Sequence, residues 1–212
     1  MITHSGIHIQ CIGGESGTPT ASDIAIHAGR LCRFGGAVWY PLLPHLVTVG
    51  LLAYKRSGEW ANLLWGFLHD AHECITGDTP KPFKCDCMRQ EQAALDERIL
   101  NRFMGIEAKP LIDFDLIHEC DLDACDIEAI ELGVPGYQEI VATHAAAYSQ
   151  RKEIHSDPKD LALFRRILAS HFNKNTIFAD SIGVRAFQDV LTLAENHKCN
   201  AFLCAVESWG IL

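Results

Sequence analysis

The stretch Leu64–Lys84, LWGFLHDAHECITGDTPKPFK, joins an apolar segment to a group of charged and histidine residues. Its apolar residues have the spacing of a buried helix face, and the doublet His69-Asp70 follows them directly. An imidazole beside a carboxylate is a good ligand pair for a divalent metal. Glu73 follows one turn later, from where its carboxylate can reach a metal-bound water. The stretch therefore predicts an apolar helix that ends in a metal site.

The composition indicates a single globular domain. The chain has 212 residues, of which 48% are hydrophobic and 21% charged, and both fractions are ordinary for a globular protein. No run approaches the roughly 20 apolar residues that a membrane helix needs. The N-terminus, MITHSGIHIQ, lacks the basic start and apolar block of a signal peptide. We therefore expect a cytoplasmic protein with no membrane contact.

Cysteine content and net charge indicate the redox compartment and the kinds of binding partner that the chain suits. The nine cysteines are odd in number and have no disulfide-scaffold spacing, which is typical of a reducing cytoplasm. A net charge of -9 argues against general nucleic-acid binding, because phosphate backbones attract basic surfaces. A small phosphate ester could still be a ligand of such an acidic protein if a few lysines or arginines line its pocket. The acidity also suits a site that collects divalent cations.

Hydrophobic periodicity predicts helices along most of the chain and no sheet. The predicted helices run from an N-cap at Ser22 to Gly35-Gly36, over Pro41–Arg56, from Trp60 to Leu68, over about Cys87–Phe103, within 111–131, from Asp157-Pro158 through Phe172, and over about Ala179–Asn196. The predicted fold class is an all-α, compact helical bundle. We expect one domain over residues 1–212, with an N-terminal arm (1–19), a core (about 22–131) and C-terminal helices (about 157–197).

The segment 111–131 holds eight acidic residues and no lysine or arginine. Most of these acids are expected to form a solvated helix face. Asp121 is the exception, because it lies one turn after Ile117 and about one turn before Ala124, both apolar. An inward-facing acid needs a compensating cation, and the metal site would supply one.

Four residues on three predicted helices form a candidate ligand set: His45, His69, Asp70 and Asp121. Two nitrogen and two oxygen donors suit zinc, manganese, cobalt or iron, and helices of a bundle can bring such residues to one point. Two structural alternatives stay open at this stage. A lone helical histidine such as His45 is more often a packing residue, and the doublet could serve a salt bridge.

Other residues near this set could carry the chemistry of phosphate hydrolysis. Glu73 would act as general base or hold the attacking water, and Asp78 could orient that water, steer a second metal or assist proton transfer. The nearest candidates for phosphate or sugar contacts are Arg33, Lys81 and Lys84. The structural alternative for Arg33 is a cation near the C-terminus of the first helix.

These residues resemble a known family. The order His45, His69-Asp70 and Asp121 is similar to the H…HD…D signature of HD-domain phosphohydrolases. Residues 69–82, HDAHECITGDTPKP, resemble the HDAxExxxGDxPxPxK stretch of the bacterial 5'-deoxynucleotidase branch. Two further segments are similar to phage-encoded members: residues 23–36, and 120–128 with the acid Glu128 at their end.

The resemblance covers about residues 22–131 and implies a metal-dependent hydrolase of deoxynucleotide phosphates on an HD-domain helical bundle. Within that branch the chain is similar to the dATP triphosphohydrolases of phages whose DNA carries 2-aminoadenine. These enzymes remove dATP from the nucleotide pool, so the implied location is the host cytoplasm. The implied cofactor is Zn, Co, Mn or Mg, with a second metal accompanying the substrate phosphates. The implied partners are a deoxynucleotide, with dATP favoured, and further copies of the chain in a homo-oligomer.

Matching positions imply particular roles. The metal ligands would be His45, His69, Asp70 and Asp121, with Glu73 catalytic and Asp78 assisting, Arg33 and Phe34 beside the sugar and base, and Pro80 against the base. The sequence departs from the family at two points. The gap from Arg33 to His45 is shorter than in the family, and Phe34 replaces the usual tryptophan. Trp39 could fill that space instead.

Several alternatives remain open at the level of sequence. The chain could be a 5'-nucleotidase acting on deoxynucleoside monophosphates, or a non-catalytic HD module that binds a nucleotide. A metalloprotease is disfavoured because the order His-Asp-Ala-His-Glu is not His-Glu-x-x-His. His72 is expected to support the site from behind the ligands or to face solvent. The preference for adenine rests on the resemblance alone.

Overall fold

The structure is a computed structural model that describes residues 2–8, 17–79, 83–139, 142, 158–170, 172 and 181–211. Regular structure in these residues is helical, without β-strands. The α-helices, in chain order, are α1 (Ala21–Ala28), α2 (Leu42–Ser57), α3 (Trp60–Leu68), α4 (Glu73–Thr76), α5 (Asp86–Phe103), α6 (Phe114–Glu131), α7 (Pro158–Ala169), α8 (Ile182–Glu195) and α9 (Cys199–Glu207). Short 3-10 helices span Phe34–Gly36 and Ile106–Leu111. The predicted all-α fold is confirmed.

The ends of α1 differ from the prediction. Its N-cap is Thr20 instead of Ser22, because Thr20 and Asp23 form a capping box. The Thr20 hydroxyl oxygen accepts the Asp23 N–H at 3.2 Å, and the Asp23 carboxylate accepts the Thr20 N–H at 2.9 Å. The helix ends at Gly29, well before the predicted Gly35-Gly36. The chain between these points turns back and carries Arg33 towards the site described below.

The N-terminal arm is attached to the start of α1 over residues 2–8. The backbone N–H and the hydroxyl of Ser5 donate to the two carboxylate oxygens of Asp23, each at 2.7 Å. Together with the hydrogen bonds from Thr20, which contribute first, these bonds lower the pKa of Asp23 to about 2, although burial acts in the opposite direction. Hydrogen bonds to a charged acceptor are stronger than neutral ones, so this contact fixes the arm against the helix bundle.

The described C-terminal residues form three helices, α7, α8 and α9, where two were predicted, and the ends of the two predicted helices differ. Helix α7 stops three residues before Phe172, which is nevertheless buried. Helix α8 begins after the N-cap Ser181, and α4 and α9 were not predicted. The predicted N-cap Asp157 and helix start Ala179 lie outside the described residues. No helix in the described ranges combines the length and apolarity needed to cross a bilayer.

Helix α3 lies in the core and contacts the C-terminal part of the chain. Phe67 is fully buried, and its ring centroid is 5.5 Å from that of Phe187 on α8 and 6.2 Å from that of Phe202 on α9. Trp209 stacks on the same ring at 5.8 Å. Burying a large aromatic side chain stabilises the fold by about 1.5–3 kcal/mol. This packing fixes the position of the helix that ends at His69.

Two glycines allow α2 and α3 to approach each other closely. A Cβ atom added to Gly66 would lie 2.5 Å from the Cα of Gly50, and one added to Gly50 would lie 2.7 Å from the carbonyl oxygen of Leu63. Neither distance is possible for a real side chain without moving a backbone. The close approach brings His45 and His69 together, with ring centroids 5.3 Å apart.

We expect Gly66→Ala to destabilise the fold despite the higher helix propensity of alanine. Propensity alone would favour alanine by about 1 kcal/mol. Separating two packed helices costs about 1–3 kcal/mol, occasionally more, and the clash is with backbone that cannot rotate away. Urea unfolding of the variant should show a lower midpoint with little change in slope. A midpoint equal to or above that of the wild type would contradict the close-packing argument.

Candidate metal centre

The four predicted metal ligands meet at one point. His45 comes from the first turn of α2, His69 and Asp70 directly follow α3, and Asp121 lies in α6. One ligand atom from each residue lies within 4.8 Å of those of the other three. The closest pairs are His45 Nε2 with Asp121 Oδ1 at 3.2 Å and His69 Nε2 with Asp70 Oδ2 at 3.3 Å. The cluster could hold a metal ion.

The two imidazoles are oriented as metal ligands. Nδ1 of His69 lies 2.9 Å from the carbonyl oxygen of Gly66, which can only accept, so this nitrogen carries the proton. Nδ1 of His45 lies 3.0 Å from a carboxylate oxygen of Glu128. In both rings Nε2 is buried and has no hydrogen-bond partner among the described residues, although buried polar atoms normally have one. The free nitrogens and the two carboxylates therefore fit a divalent cation.

Charge interactions within the cluster are strong. Burial acts to lower the pKa of His69, but the carboxylates of Asp70 and Asp121 raise it well above its ordinary value. Burial acts to raise the pKa of Asp121, but the nearby imidazoles of His45 and His69 hold it well below its usual range. Each partner thus stabilises the charged form of the other. Metal binding at such a site requires neutral imidazoles and releases protons.

Glu128 supports the cluster and was not assigned a role from the sequence. It is fully buried in α6, seven residues and about two turns after Asp121, and so lies on the same helix face. Besides its contact with His45, it accepts the hydroxyl hydrogen of Tyr40 at 3.1 Å. The Nε atom of Arg33 lies 3.5 Å from its other oxygen. The two-turn spacing from Asp121 was the signal that could have identified it.

The prediction that most acids of segment 111–131 form a solvated face is wrong. Asp123, Asp126 and Glu128 are buried, and Asp121 is half-buried. Only the other four of the eight acidic residues are exposed. The compensating cations come from elsewhere in the chain. Arg56 in α2, for example, donates to Asp123 at 2.6 Å. The sequence segment itself contains no lysine or arginine, so this pairing depends on the fold.

Arg33 lies next to the candidate metal ligands. Only 9% of it is exposed, and its Nη1 atom lies 3.9 Å from Asp70 Oδ2. Arg33 therefore contacts the candidate site, which the alternative of a cation at the C-terminus of α1 does not explain.

Phe34 follows Arg33 and has a left-handed backbone (φ 54). Its ring centroid lies 5.5 Å from the Arg33 guanidinium carbon. Trp39 is 58% exposed, so a role in filling space at the site stays a prediction.

Glu73 lies close to Asp70, with one carboxylate oxygen of each residue within 4.8 Å of the other. It is buried in the single turn α4, and Lys84 Nζ lies 3.2 Å from its Oε1 atom. Burial and the nearby charges of Asp70 and Asp78 raise its pKa to about 7. Asp78 is half-buried and close enough to act on Glu73 through its charge. The other two predicted contacts, Pro80 and Lys81, lie outside the described residues.

His72 is buried instead of facing solvent. Its Nδ1 atom lies 2.7 Å from Asp96 Oδ1 in α5, while its Nε2 atom is buried and finds no hydrogen-bond partner in the described residues. His72, Asp70 and Glu73 form a second group whose ligand atoms lie within 4.8 Å of one another. Asp70 therefore belongs to both groups of the candidate metal centre.

We expect Glu128→Gln to weaken metal binding at the first group. An amide cannot stabilise the charge on the imidazole as a carboxylate does, and loss of such a partner typically lowers metal affinity about 10–100-fold. Isothermal titration with Mn²⁺ would measure the change. Tyr40→Phe is the matched control, because it removes a hydrogen bond to Glu128 but keeps the carboxylate on His45. Equal effects of the two variants would contradict this role.

Comparisons with protein-family models, with curated proteins and with solved structures found no match for this chain. Fold and site together therefore define an all-α protein with a His/Asp cluster that could hold a metal ion.

Proposed function

We propose that the chain is a divalent-metal-dependent phosphohydrolase of the HD-domain type, acting on deoxynucleotides. The observation that carries this proposal is the convergence of His45, His69, Asp70 and Asp121, with both imidazole Nε2 atoms buried and unpartnered within the described part of the chain. Glu73 lies beside the same cluster. A module that only binds a nucleotide has no need of a buried carboxylate with a raised pKa next to a set of metal ligands.

The site residues would divide the chemistry among them. A divalent cation held by the first group would supply Lewis-acid activation of a phosphoryl group and a water molecule. Glu73 accepts the proton of the attacking water. Its Oε2 atom would take this proton, because Lys84 lies on Oε1. Arg33 places positive charge near Asp70 and Lys84 places it beside Glu73, and substrate phosphate oxygens would add negative charge here.

The favoured reaction is the hydrolysis of dATP to deoxyadenosine and inorganic triphosphate. One water molecule is consumed, a bond forms from its oxygen to the α-phosphorus, and the bond from that phosphorus to the 5'-oxygen breaks. The 5'-oxygen leaves with a proton. The choice of dATP is supported by the resemblance of residues 22–131 to phage dATP triphosphohydrolases, as set out above.

Product analysis tests this proposal. The purified protein, loaded with Mn²⁺, Co²⁺ or Zn²⁺, is incubated separately with each of the four dNTPs and dNMPs, and products are resolved by chromatography. We expect deoxyadenosine and triphosphate from dATP. Turnover of dNMPs alone would favour the 5'-nucleotidase, and no turnover of any deoxynucleotide would refute hydrolysis.

A further inference from the structure

We propose that Asp70, His72 and Glu73 form a second cation site, which the protein completes without any nucleotide. This goes beyond a second metal that arrives with substrate phosphates, because all the protein ligands are already in place. The ligand atoms of the three residues lie within 4.8 Å of one another. His72 and Glu73 are 7% and 6% exposed, so the group is largely shielded from water.

His72 is the feature that points to a ligand. Its Nδ1 atom is engaged by the Asp96 carboxylate at 2.7 Å, which favours the tautomer with the proton on Nδ1. The lone pair of Nε2 is then available, and this atom is buried with no hydrogen-bond partner in the ranges that the structure describes. A carboxylate behind an imidazole is the usual arrangement for a metal-binding histidine. The neighbouring histidine pair of the first group shows the same combination of an occupied Nδ1 and a free Nε2.

Asp70 is suited to bridge two cations. Its contacts with His45, His69 and Arg33 are all made by Oδ2. The other oxygen, Oδ1, can therefore face the second group. Carboxylate-bridged pairs of metals about 3.5–4 Å apart are a recurring arrangement in hydrolases. In the nucleotide-free protein, where Glu73 has no attacking water to deprotonate, it can likewise keep Lys84 on Oε1 and offer Oε2 to the ion.

The charge balance of this region also favours a cation. Glu73 lies within reach of the charges of Asp70 and Asp78, and Lys84 is the cation in direct contact with it. Three carboxylates, Asp70, Glu73 and Asp78, share this region with two basic side chains, Arg33 and Lys84, and an excess of like charge in a buried region is unfavourable. A divalent ion between Asp70 and Glu73 would relieve this repulsion. One nitrogen and two carboxylates form a borderline-hard donor set, which suits Mn²⁺.

Mn²⁺ is also the cleanest probe for counting sites. The thiols of Cys85 and Cys87 are exposed at the start of α5 and would bind softer ions such as Zn²⁺. The full-length protein, stripped of metal, is titrated with Mn²⁺ in the absence of nucleotide. Free Mn²⁺ is followed by electron paramagnetic resonance. We expect two ions per chain for the wild type and one for His72→Gln.

Two further variants make the test specific. Asp96→Asn keeps His72 but removes its carboxylate partner, and should weaken the second ion about 10–100-fold while leaving the first. The Asp96 side chain is 27% exposed, so this variant decides the question if circular dichroism shows that His72→Gln is unfolded. The controls are His4→Gln and Asp86→Asn, which make the same chemical changes at exposed positions.

Each outcome of this titration is decisive. Two ions in the wild type and both controls, with the second lost or weakened in the His72 and Asp96 variants, would establish the site. One ion in the wild type would overturn the proposal, as would unchanged binding of two ions in the folded variants. The readout needs no substrate, so it can fail while deoxynucleotide hydrolysis stands, or succeed while hydrolysis fails.

Discussion

Asp121→Asn should abolish both tight metal binding at the His45–His69 pair and deoxynucleotide hydrolysis. Asp121 supplies the carboxylate from α6 and lies 3.2 Å from His45 Nε2 and 3.7 Å from His69 Nε2. A neutral amide is a poor ligand and leaves both imidazoles without their charge partner. Loss of a supporting residue alone costs 10–100-fold in affinity, so loss of a direct ligand should exceed a hundredfold.

Calorimetric titration with Mn²⁺ and the dATP assay would measure the two effects on the same preparation. Asp115→Asn is the matched control, since Asp115 is exposed in the first turn of the same helix and the change in charge is identical. The control should bind and hydrolyse like the wild type. An Asp121→Asn protein that keeps its affinity for the first ion would show that the cluster is not the metal centre.

Glu73→Gln should reduce turnover about 10²–10⁴-fold, which is the usual contribution of a general acid or base. The cation at His45 and His69 should remain, because Glu73 is not part of that group. Nucleotide binding should also remain, since the amide keeps the size of the side chain. The fall should therefore appear in kcat, measured with dATP, with little change in the Mn²⁺ affinity of the first site.

The same variant should make the metal-free protein more stable above neutral pH. Burial and the neighbouring carboxylates raise the pKa of Glu73 from an ordinary value near 4.5 to about 7. Below pH 4.5 the carboxyl is protonated in both the folded and the unfolded state. Between pH 4.5 and about pH 7, Glu73 has lost its proton in the unfolded chain but keeps it in the folded protein. The free energy of unfolding therefore falls as pH rises through this range. Glutamine cannot ionise, so the variant should gain on the order of 2–3 kcal/mol at pH 8.

Urea unfolding of both proteins at pH 5 and pH 8 checks the sign of this effect. Glu97→Gln is the control, because Glu97 is exposed on α5 and forms only a surface ion pair with Lys109. Such pairs contribute little to stability. Undiminished dATP turnover in Glu73→Gln would remove the catalytic role assigned to this residue. Equal destabilisation at both pH values would show instead that the carboxylate is a structural anchor.

The local sequence was sufficient for much of the fold. Helix α2, predicted over Pro41–Arg56, spans Leu42–Ser57, and Gly58 follows it with a φ of 73, the left-handed conformation that glycine adopts easily. Helix α3 follows from apolar residues at helical spacing and begins and ends as expected. By contrast, Thr20 was missed as the cap of α1 because Ser22 offers the same chemistry two residues later. Local signals are ambiguous where two caps compete.

The sequence by itself also predicted the four His and Asp side chains that the structure brings together. The doublet His69-Asp70 at the end of an apolar helix and an inward acid at Asp121 could be derived from spacing, because helical periodicity fixes which side chains share a face. Periodicity along one helix carries no information about which other helix that face meets. Only the tertiary structure therefore decided that Glu128 supports His45, that Arg33 turns towards Asp70, and that His72 is buried against Asp96. These contacts join residues 24 to 83 positions apart in the chain, and the close packing of α2 on α3 brings the two histidines together.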